Sequence, residues 1–163
     1  MPSAADRVGE ALRGLGVVPE IQEFPQGTRT AEDAAAAVGT TVGQIVKSLV
    51  FLADGKPLLV LASGANRVDL IKLAAAVGAH AVHRADADTV RRVTGFAIGG
   101  VPPVGHETAL PVVIDRDLLR YDVVYAAAGT PHAVFAIAPG RLKEITRATA
   151  ADVQEDQSRR SSR

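Results

Sequence analysis

Two apolar runs, "IVKSLVFLA" and "PLLVLA", are joined by "DGK" near residue 55. Asp-Gly between apolar runs is a strong short-range signal for a β-hairpin with a tight turn. We therefore predict two antiparallel strands, at about 45–53 and 57–62. This hairpin constrains the fold more than any other local feature of the chain.

The first strand of this hairpin carries one charged residue, Lys47. In an alternating strand Ile45, Lys47, Leu49 and Phe51 share one face, and the opposite face is also apolar. Burying an ammonium group is costly unless its pKa falls or an anion meets it. Two interpretations therefore stay open: Lys47 serves a ligand in a cleft, or it extends from the strand's first turn to solvent.

The remaining patterns predict helices and strands in irregular order. Caps, periodicity and stop residues predict helices over 3–15, 30–38, 68–77, 87–94 and 140–147. Apolar runs between turn residues predict further strands at 20–24, 80–84, 96–99, 111–115, 122–127 and 132–137. Because no strict βαβ repeat is present, the pattern indicates an α+β or mixed α/β fold.

Length and charge limit the organisation of the chain. Its 163 residues, 47% of them hydrophobic, favour one domain, which we place at 1–153. The segment 154–163, which ends in "EDQSRRSSR", lacks apolar anchors and is predicted to be a disordered tail, whose three arginines are either solvated or in contact with RNA. Basic and acidic residues number 18 each, so any contact with nucleic acid must be local.

Several classes of site are excluded by composition. There is no cysteine, which removes disulfides, thiol nucleophiles and thiolate metal sites and fits a reducing compartment. His80, His83 and His106 lack ligand spacing, so no metal is predicted. Neither a G-x-S-x-G elbow nor a membrane span or secretory signal is visible, and we expect a cytosolic protein.

The stretch "GFAIGGVPPVGH", residues 95–106, holds four glycines and two prolines. Gly99 and Gly100 would let a ligand approach the main chain, while Pro102 and Pro103 stiffen the loop. Its amides could then bind a carbonyl oxygen or a phosphate. An ordinary turn has the same composition, and both interpretations stay open.

The stretch "AAAGTPHAVF", residues 126–135, has small side chains before a turn at Gly129, Thr130 and Pro131. Small residues beside a polar turn can form the floor of a shallow pocket. His132 follows the turn and begins a strand. A lone histidine in that position is more often structural than catalytic.

Five stretches in this order resemble the YbaK/EbsC family: "QIVKSLVF", "RVDLIKLAAAVG", "TGFAIGGVPPVGH", "LPVVID" and "AAAGTPHAVF". That family is the aminoacyl-tRNA deacylase domain shared with the editing insertion of bacterial prolyl-tRNA synthetases. The resemblance extends from "TAEDAAAAVG" to "LKEIT". It implies an α+β fold with a mixed, barrel-like sheet flanked by helices, and a trans-editing enzyme that hydrolyses the ester of a mischarged tRNA without a cofactor.

The resemblance also implies site residues. Lys47 matches a strand lysine that is important for activity in the family. The family's G-x-x-x-P loop, whose amides hold the aminoacyl group or its carbonyl, matches Gly99, Gly100, Val101, Pro102 and Pro103. The stretch "GTPH" begins with Gly129 and Thr130 and ends with His132. This histidine matches one that shapes the amino-acid pocket of the insertion-domain relatives.

Ester hydrolysis needs a positioned water and donors aimed at the developing oxyanion. We expect Lys47 and the amides of Gly99 and Gly100 to supply charge and positioning, and not a general base. The cysteine-specific branch differs at "GTPH", so cysteinyl-tRNA is not the expected substrate. Small residues from Ala126 to Gly129 favour a small amino acid such as alanine or serine.

The expected partners are an aminoacyl-tRNA and, in addition, a synthetase. Four cations are either a local basic surface for RNA or ordinary solvated helix faces: Arg67, Lys72, Arg91 and Arg92. Two other functions remain open, a non-catalytic module that binds a synthetase, an aminoacyl ligand or a nucleotide, and a hydrolase of small free esters. The oligomeric state is left open by the sequence.

Overall fold

The computed structural model describes residues 2–28 and 30–156. Within them, five α-helices and eight strands alternate irregularly. The helices are α1 (Ala4–Gly14), α2 (Ala31–Val38), α3 (Leu70–Val77), α4 (Ala87–Thr94) and α5 (Pro139–Thr146). The strands are β1 (Ile21–Glu23), β2 (Ile45–Ala53), β3 (Lys56–Ser63), β4 (Val82–Arg84), β5 (Val112–Asp115), β6 (Val124–Ala127), β7 (Ala133–Ile137) and β8 (Thr149–Ala151).

The strands form one mixed sheet in the order β1-β7-β6-β2-β3-β5-β8, and β4 pairs with β2. The predicted hairpin is confirmed, because β2 and β3 pair antiparallel from Val46 opposite Ser63 to Ala53 opposite Lys56. Asp54 and Gly55 connect the two strands with φ angles of 49° and 82°. Two positive φ angles define the type I′ turn that matches the twist of a hairpin.

The strand β2 has one complete edge and one interrupted edge. On one side β3 pairs along the strand. On the other side β6 pairs in parallel with Ile45 and Val46, and β4 pairs antiparallel with Phe51–Ala53. No strand among the described residues pairs with Lys47–Leu49 on that side. The sheet therefore has a gap beside Lys47.

The hydrophobic core lies on both faces of β2. The largest cluster holds Val46 and Val50 with buried side chains of β3, β5, β6, β7, α1, α4 and α5. Phe51 packs with Leu73 of α3 in a second cluster, and Ile45 packs beneath α2 in a third. A strand that is covered on both faces carries apolar residues on both, which is why the "IVKSLVF" run does not alternate with polar residues.

Local signals account for most helix ends. Ser3 and Asp6 form the capping box of α1, and Asp86 caps α4 as predicted. The helix α3 begins at Leu70, not at 68, because the Asp69 carboxylate accepts from the amides that follow it and ends the extended segment. The five predicted helices are confirmed, with bounds that differ from the predicted ones by at most two residues.

The predicted strand at 96–99 is wrong. Gly99 has a φ angle of 93°, which a β-strand does not allow, and it forms part of a turn with Ile98. The strand β8, which pairs in parallel with β5, was not predicted. Its "TAA" sequence carries no apolar pattern, so only the pairing identifies it.

The predicted tail, 154–163, lies largely outside the described residues. Its first residues make contacts with the short segment before α3: Gln154 forms an isolated β-bridge with Val68, and the Glu155 amide donates to the Arg67 carbonyl at 2.7 Å. For 157–163 the tail stays a prediction. Among the described helices, none has the length and apolar character needed to cross a membrane, and the cytosolic location stays a prediction.

Candidate active site

The gap in the sheet opens into a cavity of about 310 Å³, here named the central cavity. The strand β2 contributes every residue from Ile45 to Val50, as an exposed strand edge does. The wall also includes residues of α2, α4, β6 and β7, the pair Arg84 and Ala85, the loop at 98–101 and the turn at Thr130 and Pro131. Most of these side chains are aliphatic, so the cavity suits an apolar group.

Lys47 stands between the central cavity and a more open pocket that contains Glu32, Asn66 and Arg67. Its side chain is half-buried, and its Nζ donates to the main-chain carbonyl of Asn66. Among the described residues no carboxylate forms an ion pair with this ammonium. The cation is therefore held in place by a neutral acceptor.

The surroundings lower the pKa of Lys47 from its ordinary value. Burial is the main cause, and the positive charges of Arg84 and, to a smaller extent, Arg67 lower the pKa further. The negative charges of Asp115 and Glu32 oppose this shift. Burial and like charge both disfavour the charged form of a lysine. An anion that enters the cavity would stabilise the ammonium and so offset the hydration free energy that burial removes. This position is therefore suited to a developing negative charge.

Ser48 adds polar groups to the same edge. Its Oγ is buried and has no hydrogen-bond partner among the described residues. In a hairpin with a two-residue turn, the residue pair next to the turn is hydrogen-bonded, and every second pair after it is hydrogen-bonded too. By this alternation the main chain of Lys47 bonds to β3, opposite Ala62. The main-chain N–H and C=O of Ser48 therefore point away from β3, into the gap. The bond from the Ala85 amide to the Val50 carbonyl, 3.1 Å long on that edge, follows this alternation.

The two loops singled out in the sequence touch each other. A Cβ on Gly100 would lie 2.7 Å from the Gly129 carbonyl oxygen and 2.6 Å from Thr130 Cα, so only glycine allows this approach. Gly99 and Val101 line the central cavity. Among the described residues no acceptor is assigned to the Gly99 amide, whereas the Gly100 amide donates to Ala97 at 3.0 Å. Gly100 therefore shapes the loop, whereas the amide of the exposed Gly99 has no acceptor in the described part of the chain.

The two prolines of the loop do not line the central cavity. Pro102 and Pro103 are buried behind it, and Pro103 faces a separate pocket beside Leu15. The Nε2 of His106 lies 2.6 Å from the Pro102 carbonyl. Burial lowers the pKa of His106, although the contact with this carbonyl opposes the shift. A neutral imidazole that donates from Nε2 can hold the loop in place.

The second loop contributes Thr130 and Pro131 to the cavity. Thr130 lines it, whereas Gly129 is buried, and a Cβ there would lie 2.8 Å from the Ala4 carbonyl of α1. The His132 ring lies against Gly27 and is not part of the cavity wall. Its neighbours Pro131, Ala133 and Val134 do line the cavity, whereas His132 lies in the turn that precedes β7.

The predicted basic surface is divided. Arg67 lies beside Lys47, but Lys72 forms ion pairs with Asp152 and Asp156 at 3.2 and 3.0 Å. Arg91 and Arg92 lie exposed on α4 and do not line the central cavity. The arginine that does, Arg84, was missed by the sequence analysis. It is the last residue of the short strand β4, and only the pairing of β4 with β2 brings it to the site.

No cluster of three or more histidine, aspartate or glutamate side chains in the described part of the chain is arranged to hold a metal.

The residues that the sequence analysis missed, Ser48 and Arg84, differ in the signal they gave. Ser48 is a polar residue next to Lys47 in an apolar run, and that signal was visible.

Comparison with known proteins gives a consistent result. The model of a family described as "Aminoacyl-tRNA editing domain" matches residues 25–145. A proline–tRNA ligase from Geobacter sp. (strain M21) is 35% identical over 118 residues, which cover 72% of this chain and 21% of the ligase. The chain thus spans about a fifth of the length of the ligases that it matches.

Two further relatives match over most of their length. A protein of Enterococcus faecalis named "Putative Cys-tRNA(Pro)/Cys-tRNA(Cys) deacylase EbsC" is 28% identical over 126 residues, 72% of this chain and 77% of that protein. A structure described as "a putative trans-editing enzyme for prolyl tRNA synthetase" is 49% identical with a TM-score of 0.90, and the match covers 96% of this chain and 99% of that one. The mixed sheet and the family match agree, and the chain belongs to the aminoacyl-tRNA editing domain family.

Proposed function

We propose that this chain is an aminoacyl-tRNA deacylase, which hydrolyses the ester between a small amino acid and the terminal adenosine of a mischarged tRNA. The observation that carries the proposal is the half-buried Lys47 ammonium, which lies beside an apolar cavity and is held by a carbonyl without a neutralising carboxylate. The editing and deacylase descriptions of the relatives support the same activity.

The central cavity would hold the aminoacyl group. Its volume of about 310 Å³ is at the lower end of the range for small-molecule sites, which runs from ~300 to ~1,000 Å³. An aliphatic wall and a small volume favour a small side chain, and alanine and serine are the first candidates. The main chain of Ser48, which points into the gap, offers an N–H and a C=O to the polar atoms of the acyl group.

The reaction is the attack of water on the ester carbonyl. The bond from the water oxygen to carbon forms, the bond from carbon to the ribose oxygen breaks, and the ribose oxygen takes the proton. The Lys47 ammonium and the Gly99 amide stabilise the oxyanion; loss of one such donor typically costs ~2.7 to 4 kcal/mol. The vicinal ribose hydroxyl of the substrate relays the proton, because no aspartate, glutamate or histidine among the described residues lines the cavity.

The end of the tRNA would be bound by local charge. The formal net charge of the chain is zero, so attraction to RNA over the whole surface is absent. Arg84 and Arg67 both lie close enough to Lys47 to lower its pKa, and both are exposed. They are the groups we assign to the phosphates next to the terminal adenosine.

One observation favours a second candidate function. In the described part of the chain the cavity wall carries no carboxylate or imidazole that could act as a general base. A module that binds an aminoacyl ligand or a synthetase without hydrolysis needs none. The two functions share the cavity and differ only in turnover.

Single-turnover deacylation with the full chain separates them. The panel is tRNA(Pro) charged with alanine, serine, cysteine or proline, and tRNA(Ala) charged with alanine. We expect faster hydrolysis than in buffer for alanine or serine on tRNA(Pro), and none for proline. Buffer rates for every member, with retained tRNA binding, would instead establish the binding module. A repeat with prolyl-tRNA synthetase present tests the proposed partner.

A further inference from the structure

A buried carboxylate lies behind Lys47, on the side away from the central cavity. Asp115, the last residue of β5, is 1% exposed. Its carboxylate accepts from the Ser63 amide at 3.1 Å, from Asn66 Nδ2 at 2.8 Å and from the Asp117 amide at 3.0 Å. We name Ser63, Asn66 and Asp115 the Asp115 network.

The network fixes the turn that follows β3. Ser63 Oγ donates to the Gly43 carbonyl at 2.8 Å and accepts from the Ala65 amide at 3.3 Å. The Asn66 amide donates to the Ser63 carbonyl at 2.9 Å. Main chain and side chain of Asn66 are thus both tied, and its carbonyl is the acceptor of the Lys47 ammonium. The position of that carbonyl depends on Asp115.

Asp115 also differs from the other charges that face Lys47. Arg84 and Arg67 oppose the protonated form, while Asp115 and Glu32 favour it. Glu32 is exposed on α2, so water and salt screen it, whereas Asp115 is buried and its charge is screened less. Asp115 is therefore the carboxylate best placed to preserve the ammonium near the cavity.

We propose that Asp115 is a positioning residue of the deacylase: it ties the turn at Ser63–Asn66 and through the Asn66 carbonyl sets the position and charge of Lys47. This rests on the function proposed above. The carboxylate acts without touching the substrate, and it does not form an ion pair that would cancel the cation.

The test compares Asp115→Asn with Asp117→Asn. Both variants replace one carboxylate that accepts from Asn66 Nδ2, at 2.8 Å in each case, but only Asp115 acts on the pKa of Lys47. The chain contains four lysines, so NMR with ¹³Cε-labelled lysine resolves the Lys47 titration, with Lys47→Met for its assignment. The rate of deacylation is measured against pH in parallel.

We expect Asp115→Asn to move the Lys47 titration, and the alkaline limb of kcat/KM with it, to lower pH. Asp117→Asn should keep the wild-type Lys47 titration. A titration that is the same in Asp115→Asn and in the wild type overturns the inference, even if the chain is a deacylase. A shifted titration in a chain without turnover would support the link from Asp115 to Lys47 and refute the deacylase function.

If circular dichroism shows that Asp115→Asn does not fold, Asn66→Ala replaces it as the test variant. It removes the side-chain link to Asp115 and keeps the carbonyl that accepts from Lys47. We expect kcat to fall several-fold with little change in KM, because the ammonium is misplaced and the cavity is unchanged. Unchanged kcat and an unchanged Lys47 titration in this variant would overturn the proposal.

Discussion

The central cavity and the Asp115 network meet at Lys47 from opposite sides. In the network the Asp115 carboxylate accepts from three donors, and the Ser63 hydroxyl both donates and accepts. In the cavity the Ser48 hydroxyl and the Gly99 amide have no partner among the described residues. Buried polar groups are normally paired, so the buried Ser48 hydroxyl marks the place where we expect a ligand to supply a partner, whereas Gly99 is exposed.

This difference explains how one lysine can be both fixed and available. A carboxylate at ion-pair distance would position the ammonium but would also cancel its charge. The Asn66 carbonyl positions it and leaves the charge for an anion. The satisfied side of the site is therefore expected to govern stability, and the unsatisfied side to govern activity.

Lys47→Met removes the group shared by both regions and should have the largest effect. We expect a loss of ~10²- to 10³-fold in kcat, the usual result when one oxyanion donor is removed. Lys56→Met, which replaces an exposed lysine at the hairpin turn, is the matched control. Single-turnover deacylation measures both. A Lys47→Met rate close to that of the control would contradict the assigned role.

Ala127→Leu tests the cavity alone. Ala127 lies in β6 and lines the central cavity, so three added carbons occupy space meant for the acyl group. We expect kcat/KM to fall by about 10- to 200-fold, the range for one misfitted methylene. Ala150→Leu places the same change on the exposed β8, where it should leave kcat/KM unchanged. Equal activity of the two variants would mean that the acyl group binds elsewhere.

Two serines compare the regions by stability. Ser63→Ala leaves the Gly43 carbonyl and the Ala65 amide without their partner and should cost about 1 to 3 kcal/mol. Ser48→Ala removes a hydroxyl with no partner among the described residues and should cost less than Ser63→Ala, or stabilise the fold. Urea denaturation measures both. An equal cost would show that Ser48 is paired within the folded protein.

The surface cations should have the smallest effect. Arg84→Ala is expected to lower kcat/KM a few-fold and to reduce its salt dependence, by ~0.7 in the logarithmic slope for one phosphate contact to single-stranded RNA. Lys72→Ala should change neither, because Lys72 is paired with Asp152 and Asp156 and does not line the central cavity. Rates measured between low and high salt check this. An unaltered slope in Arg84→Ala would remove that residue from the RNA surface.

Much of the fold follows from local chemistry and could be predicted. Ser3, Thr30 and Asp86 cap their helices with their own side chains, and the Asp54–Gly55 turn closes the hairpin by itself. Each signal lies within a few residues of its effect. The strand β8 shows the limit, because only its partner β5 makes "TAA" a strand.

The site was predictable in part for the same reason. Lys47 could be found because a lysine in an apolar run conflicts with its surroundings, and such conflicts are often functional. Asp115 and Asn66 are 49 positions apart, and Arg84 reaches the cavity by the pairing of β4 with β2. His132 fitted a sequence pattern, but it lies in the turn before β7 and its ring is against Gly27, outside the cavity wall. Local sequence patterns do not determine which strands pair, or in which register, when the residues are so far apart in the chain.

The most direct test of the account is the direction of the pH dependence at Lys47. The measurement compares the Lys47 titration, followed by NMR of ¹³Cε-lysine, with the rate of deacylation after subtraction of the buffer rate. If the ammonium stabilises the oxyanion, the rate falls as pH rises through the pKa of Lys47, which burial has lowered from its ordinary value. A rate that rises through the same titration would mean that the neutral amine acts as a base, and it would contradict the account.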